Sequence, residues 1–430
     1  MNRLAMNKIS STVAKRQAII CLELARETDR LVVERRQSAD RVLAGFYRRH
    51  REYGARDRRF FSNAVFSWFR WRGWLKTPTN ENITVAILLD ATEIPPPLKY
   101  MVEHSALSHF NLKPLGQLNL KDKAAGLQNL LKGDRPGIEQ LVPDWLSGHL
   151  YFPPGIEPER HLVRCIESFQ VRPPTWLRLR SDQRNEMLHS LTKMGIEIGT
   201  HPFIEQAVFI KGAKNCDLSQ LRGAEAQDLA SQCVGMCCNP KPGEQWWDMC
   251  AGAGGKSLHL ADLMDDKGLI LATDIRPSIL DQLSKRSKRN NYRSIRTSVW
   301  NGIADPAPNK YFDGVLVDAP CSGIGTWHRN PDARWRIFPE QIRDYADIQA
   351  NLLQIAATKV KSGGRLVYST CTLTTIENTD VIGRFLERQK EFHPENILNP
   401  LNRKQSNGLI WIWPGEMNCN GMFIAVMKKD

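Results

Sequence analysis

The sequence predicts an α/β protein in which a doubly wound, Rossmann-like sheet follows a small α/β region and an all-helical region. From Gly243 onward, apolar strand candidates alternate regularly with longer helical stretches, which is the pattern of a largely parallel sheet with helical crossovers. The residues upstream lack this alternation. A chain of 430 residues also exceeds one ordinary core. We therefore predict three domains, over residues 1–135, 136–240 and 241–430.

The first region is predicted to be helical because apolar and basic side chains recur there at helical spacing. Residues 1–80 hold 18 Lys or Arg against 7 Asp or Glu, which accounts for most of the net charge of +13. Such a surface attracts polyanions, so nucleic acid is the leading candidate partner. An ordinary solvated helix surface explains the same charges equally well and remains an alternative.

The second region is predicted to be a small α/β segment. Its β-prone runs are TWLRLR at 175–180 and QAVFI at 206–210, and proline pairs at 153–154 and 173–174 separate the elements.

The third region contains four buried-strand candidates and the helices between them. Parallel strands of this type bind ligands at their carboxyl ends. The strand candidates are EQWWDMC (244–250), GLILATDI (268–275), FDGVLVDAP (312–320) and GRLVYST (364–370), the helix candidates are 256–265, 277–289, 339–361 and 376–390, and a closing strand pair is predicted at 409–414 and 421–428.

Cysteine usage and hydropathy indicate a cytoplasmic protein. The sequence has no apolar run of about 18 residues, and MNRLAMNKIS lacks the layout of a signal peptide. Ten cysteines in such a chain are expected to be free thiols. Cys233, Cys237 and Cys238 have no partner pair at zinc-like spacing, so no metal site is predicted. We expect a monomer that does not bind a membrane.

A glycine-rich turn after the first strand of the predicted sheet is a candidate cofactor site. It runs from Cys250 to Lys256 and enters a helix, where backbone amides can face a ligand. Asp274 follows Gly254 by 20 residues, about the spacing at which a carboxylate meets a ribose hydroxyl. The P-loop and dehydrogenase fingerprints are missing, so an adenosine ligand of another kind is favoured. A tight turn with no ligand is the alternative.

Two cysteines follow other strands of the same sheet and project toward the same edge. Asp318-Ala319-Pro320-Cys321 ends one strand and Ser369-Thr370-Cys371 ends another. Carbon 5 of cytosine becomes nucleophilic when a thiolate adds to carbon 6, an acid near the ring nitrogen stabilises the adduct, and a second group assists release. The pattern fits that reaction. A buried structural cysteine is the usual alternative for either residue alone.

The motifs resemble the bacterial Sun/RsmB-like RNA 5-methylcytosine methyltransferases, which act on small-subunit ribosomal RNA. The segments that carry the resemblance are DMCAGAGGKS, DIRPSILDQLSKR, VLVDAPCSGIGTWHRNPDARW and YSTCTLTTIEN. It covers residues 243–430 strongly. Upstream, WLRLRS, HPFIEQAVFIKG and AQDLASQ resemble the RNA-binding region of the family, and residues 1–135 resemble its NusB-like domain less distinctly.

The resemblance implies S-adenosylmethionine as cofactor, an RNA substrate and a role for each site residue. Cys371 would be the nucleophile, Cys321 would promote product release, and Asp318 would lie beside cofactor and base. Asp274 would bind the ribose. The remaining residues implied to hold the methyl donor are Cys250, Ala251, Gly252, Ala253, Gly254, Gly255 and Lys256. The same chemistry on transfer RNA, or a non-catalytic ribosome-assembly factor, remains an alternative.

Two further positions bear on ligand binding. A carboxylate usually ends the third strand in this family, whereas Asn301 stands there in this chain and is expected to bind the adenine amino group instead. We also expect the loop from Trp327 to Asp332, which includes Arg329, to contact RNA.

Overall fold

The computed structural model describes residues 11–109, 113–131, 134–211, 222–303, 306–307 and 310–430. The amino-terminal decapeptide assessed for a signal sequence lies outside these residues. The chain forms two compact units. The helical unit comprises the described residues of Met1–Gly148 together with Phe152–Val171 and Trp327–Ile337, and the sheet unit comprises those of His149–Tyr151, Arg172–Thr326 and Phe338–Asp430. The division into three domains at residues 135 and 240 stays a prediction.

The helical unit is built on helices with long tryptophan-rich and apolar faces. Ser38 and Thr79 cap two of them by accepting a hydrogen bond from the first helical turn. Trp68 and Trp71 are fully buried, and their indole N–H groups donate to Asp29 and Asp90. The helices are α1 (Ser11–Arg35), α2 (Ala39–Arg49), α3 (Ala55–Leu75), α4 (Asn80–Asp90), α5 (Pro96–Glu103), α6 (Leu120–Leu131) and α7 (Pro158–Phe169).

The segment Trp327–Ile337 is part of the helical unit, although it follows the Cys321 motif in sequence. Trp327 and Arg334 are completely buried, and Asp332 is 3% exposed. Arg334 donates to the carbonyls of Leu141 and Phe169. The expected RNA contact is therefore wrong for Trp327 and Asp332, because packing buries both side chains, whereas for the half-buried Arg329 it stays a prediction.

The sheet unit begins with a small antiparallel sheet, as the β-prone runs predicted. Its strands pair in the order β2-β3-β1-β4. The elements are β1 (Thr175–Leu179), α8 (Arg184–Lys193), β2 (Glu197–Thr200), β3 (Ala207–Lys211) and β4 (Ala224–Ala226).

The main sheet has the order β10-β14-β9-β8-β5-β6-β7, with β13 paired to β14. Strands β5 to β9 are parallel, whereas β14 runs antiparallel to β9. The elements are α9 (Leu229–Cys238), β5 (Gln245–Asp248), α10 (Gly255–Leu263), β6 (Leu269–Asp274), α11 (Pro277–Arg289), β7 (Ile295–Val299), β8 (Phe312–Asp318), α12 (Pro339–Ala357), β9 (Val360–Thr370), α13 (Thr379–Arg388), β10 (Phe392–Pro394), β11 (Ile397–Leu398), β12 (Gln405–Ser406), β13 (Leu409–Ile412) and β14 (Met422–Lys429).

This topology confirms the predicted Rossmann-like α/β fold. The chain leaves β5 for β6 on one side and returns to β8 on the other, so the sheet order reverses beside β5. Ligands bind at such a switch point, outside the carboxyl ends of the strands. The glycine-rich turn follows β5 at this position.

All nine cysteines in the described ranges are free thiols. Cys233, Cys237 and Cys238 lie buried in α9, and no group of His, Cys, Asp or Glu within the described part of the chain could hold a metal ion. Among the same residues, every helix is too short or too polar to span a bilayer.

Candidate active site

The turn from Cys250 to Gly255 is held in a conformation that requires glycine at two positions. Gly252 and Gly254 have φ values of +53° and +85°. A Cβ on Gly254 would lie 2.4 Å from the Leu283 side chain of α11, so that residue also allows close packing. At Gly255, by contrast, a Cβ would meet no atom within 4 Å. The turn therefore leaves open space beside the half-buried Gly255, at the start of α10.

Asp274, at the end of β6, is tied to this turn. Its carboxylate accepts a hydrogen bond from the Gly252 amide at 3.0 Å and from the Arg276 guanidinium at 2.9 and 3.0 Å. Burial alone would raise the pKa of Asp274, but the hydrogen bonds from Arg276 lower it below the usual range. Asp274 is thus ionised. The Arg276 amide also donates to Oδ1, so Gly252 and Arg276 occupy all four acceptor positions of the carboxylate, and a ribose hydroxyl would replace one of these donors. Together with the open space beside Gly255, this set of groups fits an adenosine group.

Asp248, the last residue of β5, lies directly beneath the turn and is completely buried. The Ser257 hydroxyl donates to its Oδ2 atom at 2.6 Å. Burial raises the pKa of Asp248 to about 7. At neutral pH this carboxyl group is therefore only partly ionised, and its hydrogen bond from Ser257 anchors the first turn of α10. The sequence pattern did not indicate this role.

Asp318, at the end of β8, is fixed by two side chains. Lys256 Nζ lies 2.6 Å from Asp318 Oδ2, and the Ser369 hydroxyl donates to Oδ1 at 2.7 Å. Burial alone would lower the pKa of Lys256, but the adjoining Asp318 carboxylate raises it above its ordinary value. Lys256 was predicted only as part of the cofactor turn. The structure adds that it carries the positive charge facing Asp318.

The two candidate catalytic thiols lie side by side. Cys321 Sγ and Cys371 Sγ are 3.4 Å apart, and both residues are half-buried. The hydrogen bond with Cys371 and burial raise the pKa of Cys321 well above its ordinary value. Cys321 therefore keeps its proton and can donate it toward Cys371. In addition, the Gly325 amide donates to the Cys371 carbonyl at 2.9 Å, which joins the two loops.

Cys250, Ala251 and Asn301 were also predicted to hold the cofactor. Cys250 is half-buried, and burial raises its pKa, so it is present as a thiol. Ala251 is 9% exposed and its amide donates to the Thr273 carbonyl. Asn301 is exposed beyond β7, and its side chain accepts from the Ile303 amide. Its contact with a cofactor stays a prediction.

Known proteins resemble this chain in both sequence and fold. The model of the 16S rRNA methyltransferase RsmB/F family matches residues 235–428. A probable ribosomal RNA small subunit methyltransferase B of Synechocystis sp. is 37% identical over 308 residues, which cover 68% of each chain. This chain belongs to the RsmB/F family. The corresponding Bacillus subtilis protein is 31% identical, over 68% of this chain and 66% of its own length.

A third member of the RsmB/F family, the ribosomal RNA small subunit methyltransferase B of Yersinia pestis, is 34% identical over 62% of each chain. Membership establishes that the chain is a methyltransferase whose cofactor is S-adenosylmethionine. It thereby removes the non-catalytic assembly factor from the alternatives.

Solved structures support the fold alone. The crystal structure of PH0851 has a TM-score of 0.74 at 23% identity and covers both chains completely. NSun6 from Pyrococcus horikoshii with SFG has a TM-score of 0.58 at 19% identity, over 67% of this chain and 98% of that one.

Proposed function

We propose that this enzyme methylates carbon 5 of a cytosine in small-subunit ribosomal RNA, with Cys371 as the nucleophile. The observation that carries the proposal is the Sγ–Sγ distance of 3.4 Å between Cys371 and Cys321 at the sheet edge that also holds Asp318. A lone structural cysteine needs no second thiol, whereas addition to a base and later release need two groups. The named relatives are ribosomal RNA small subunit methyltransferases, which favours that substrate over transfer RNA.

The raised pKa of Cys321 argues against that sulfur as the nucleophile, because the thiolate is the form that attacks. Cys371 is the other sulfur at this position, 3.4 Å away. The Cys371 sulfur would then add to carbon 6 of the cytosine, and the electron pair of the former double bond would become available at carbon 5. S-adenosylmethionine, when bound, supplies the methyl group.

Asp318 and Lys256 would stabilise the charge that develops on the base. Their ion pair can hold a proton at the ring nitrogen while the adduct exists. Water would then take the carbon 5 proton, the C–H electron pair would restore the C5–C6 double bond, and the C6–S bond would break. We assign Cys321 to that release step, because its thiol lies 3.4 Å from the Cys371 sulfur and can give its proton to that sulfur as it departs, regaining one from solvent.

RNA affinity is proposed to come from the basic corner formed by α2 and the start of α3. Arg48, Arg49, Arg51 and Arg59 are exposed there. Arg58 has a structural task instead, since its guanidinium donates to the Tyr53 carbonyl at 2.8 Å. We further propose that the enzyme acts in the cytoplasm as a monomer.

The main experiment uses labelled S-adenosylmethionine and small-subunit ribosomal RNA from cells that lack the enzyme. Wild type should form 5-methylcytidine, identified by mass spectrometry, whereas Cys371→Ala should form none. Cys165→Ala, which removes a buried thiol of the helical unit, is the matched control and should remain active. Label on transfer RNA but not on ribosomal RNA would contradict the proposed substrate. An active Cys371→Ala variant would contradict the assignment of Cys371 as nucleophile.

A second experiment tests the basic corner. Replacing Arg48 and Arg49 by Glu should weaken RNA binding and flatten its salt dependence, by a slope of roughly 0.7–0.9 for each phosphate that the protein no longer neutralises. Replacing the exposed Arg388 and Lys390 by Glu makes the same charge change elsewhere and should leave the slope unaltered. Equal effects of the two pairs would place the RNA surface elsewhere.

A further inference from the structure

The mechanism leaves one buried carboxyl group near the thiols unused. Glu377 lies between β9 and α13 and is completely shielded from solvent. A buried carboxylate is costly unless hydrogen-bond donors surround it. Here five donors lie within 3.3 Å of its two oxygens. Such complete satisfaction indicates that its position is tightly determined.

The donors come from both cysteine loops. Ser322, the residue after Cys321, donates its backbone N–H to Oε1 at 2.8 Å and its hydroxyl to Oε2 at 2.6 Å. The hydroxyl oxygen of Thr372, the residue after Cys371, lies 3.2 Å from Oε2. The Ser322 and Thr372 hydroxyl oxygens are themselves 2.6 Å apart. One carboxylate therefore binds the immediate neighbours of both catalytic cysteines.

Two more side chains extend this network. Gln349 of α12 donates to Glu377 Oε1 at 3.3 Å and to the Pro320 carbonyl at 2.9 Å, on the other side of Cys321. The Thr374 hydroxyl donates to Oε2 at 2.9 Å. The backbone before and after Cys321 is thus fixed to Glu377, directly or through one residue.

We propose that Glu377 is a positioning residue that holds the Cys321 and Cys371 sulfurs at reacting distance. The inference rests on the proposed roles of these two cysteines. Beyond the paired ends of β8 and β9, the two loops are also joined by the Gly325 amide, which donates to the Cys371 carbonyl. Without the carboxylate, Ser322 and Thr372 lose their common acceptor and the two sulfurs separate. Nucleophilic addition depends on geometry at this scale, because a displacement of about 1 Å can cost roughly 100-fold in rate.

The first test measures sulfur proximity without RNA or cofactor. Dibromobimane becomes fluorescent when both of its arms have alkylated thiols, so it reports the Cys321–Cys371 pair, with Cys371→Ala as background. Glu377→Ala should lower the cross-linking rate about tenfold or more. Glu377→Gln keeps one carbonyl acceptor and should be intermediate. The matched control is Glu387→Gln on the exposed face of α13, which should cross-link like wild type.

The second test separates positioning from general loss of structure. Glu377→Ala should lower kcat about 100-fold while KM for RNA and for S-adenosylmethionine stays within about twofold. If that variant does not fold, Ser322→Ala serves instead, because it removes one donor and leaves the backbone N–H bond. Cross-linking at the wild-type rate in folded Glu377→Ala would overturn the proposal. An inactive wild type that still cross-links would instead count against the proposed reaction.

Discussion

The buried Asp248 carboxyl group makes the stability of the sheet unit depend on pH in a particular direction. No hydrogen-bond donor among the described residues reaches its Oδ1 atom, and only Ser257 binds Oδ2. Burial raises the pKa of Asp248 to about 7, whereas an unfolded aspartate has a pKa of about 3.9. The unfolded chain therefore releases this proton at lower pH than the folded chain does.

The sign and size of the effect follow from this difference. A carboxyl group whose pKa is raised by folding stabilises the fold at low pH, and that stabilisation is lost as pH rises toward the folded pKa. With the two pKa values above, the free energy of unfolding should fall by about 2 kcal/mol between pH 5 and pH 7 and change little above pH 8. Asp248→Asn carries no titrating proton and should lack this decrease.

Urea unfolding followed by tryptophan fluorescence can measure the effect, because Trp247 adjoins Asp248 in the core of the sheet. The useful quantity is the difference between wild type and Asp248→Asn at each pH, since other titrating groups cancel. Asp344→Asn, on the exposed face of α12, should track wild type. A wild-type minus Asp248→Asn difference that is constant from pH 5 to pH 8 would refute the argument.

Three further outcomes are expected. Cys321→Ala should accumulate an RNA–protein adduct through Cys371, visible as a slowly migrating band on a denaturing gel; rapid turnover without an adduct would contradict the release role. Asp274→Ala should raise the Kd for S-adenosylmethionine, measured by calorimetry, about tenfold, because it removes a charged acceptor and leaves the Gly252 amide without its partner. An unchanged Kd would indicate that the ribose binds elsewhere. Arg334→Met should leave the buried Leu141 and Phe169 carbonyls without this donor and lower the free energy of unfolding of the helical unit by about 2 kcal/mol or more. An unchanged midpoint of urea unfolding would contradict this expectation.

The sequence was sufficient to predict the main sheet because its strands are short, apolar on both faces and bounded by turns. The predicted strand at 268–275 is observed as Leu269–Asp274, and the predicted helix at 277–289 as Pro277–Arg289. Errors occur at ends: the helix expected at 339–361 stops at Ala357, because β9 already begins at Val360. Local periodicity predicts the existence and type of an element better than it predicts the residue at which the element ends.

The sequence was less informative about contacts between distant residues. Glu377 stands in the motif used to recognise Cys371, yet its partner Ser322 is 55 positions away, and no spacing rule connects them. Likewise, the loop from Trp327 to Asp332 was expected to contact RNA, whereas much of it is buried. Its burial depends on α3 and α7, which lie far away in sequence, as when Trp335 donates to the Phe69 carbonyl. Pairings of this kind require the folded chain.

The inclusion of Trp327–Ile337 in the helical unit also affects how the chain folds during synthesis. Domains usually fold from the amino terminus as they leave the ribosome, at about 5–20 residues per second. Here the 166 residues after Val171 must be translated before Ile337 is complete, which takes roughly 8–30 s. Until then the helices lack Trp327 and Arg334 and leave apolar surface open to chaperones. A nascent chain arrested before residue 327 should therefore be degraded faster than one arrested well beyond residue 337.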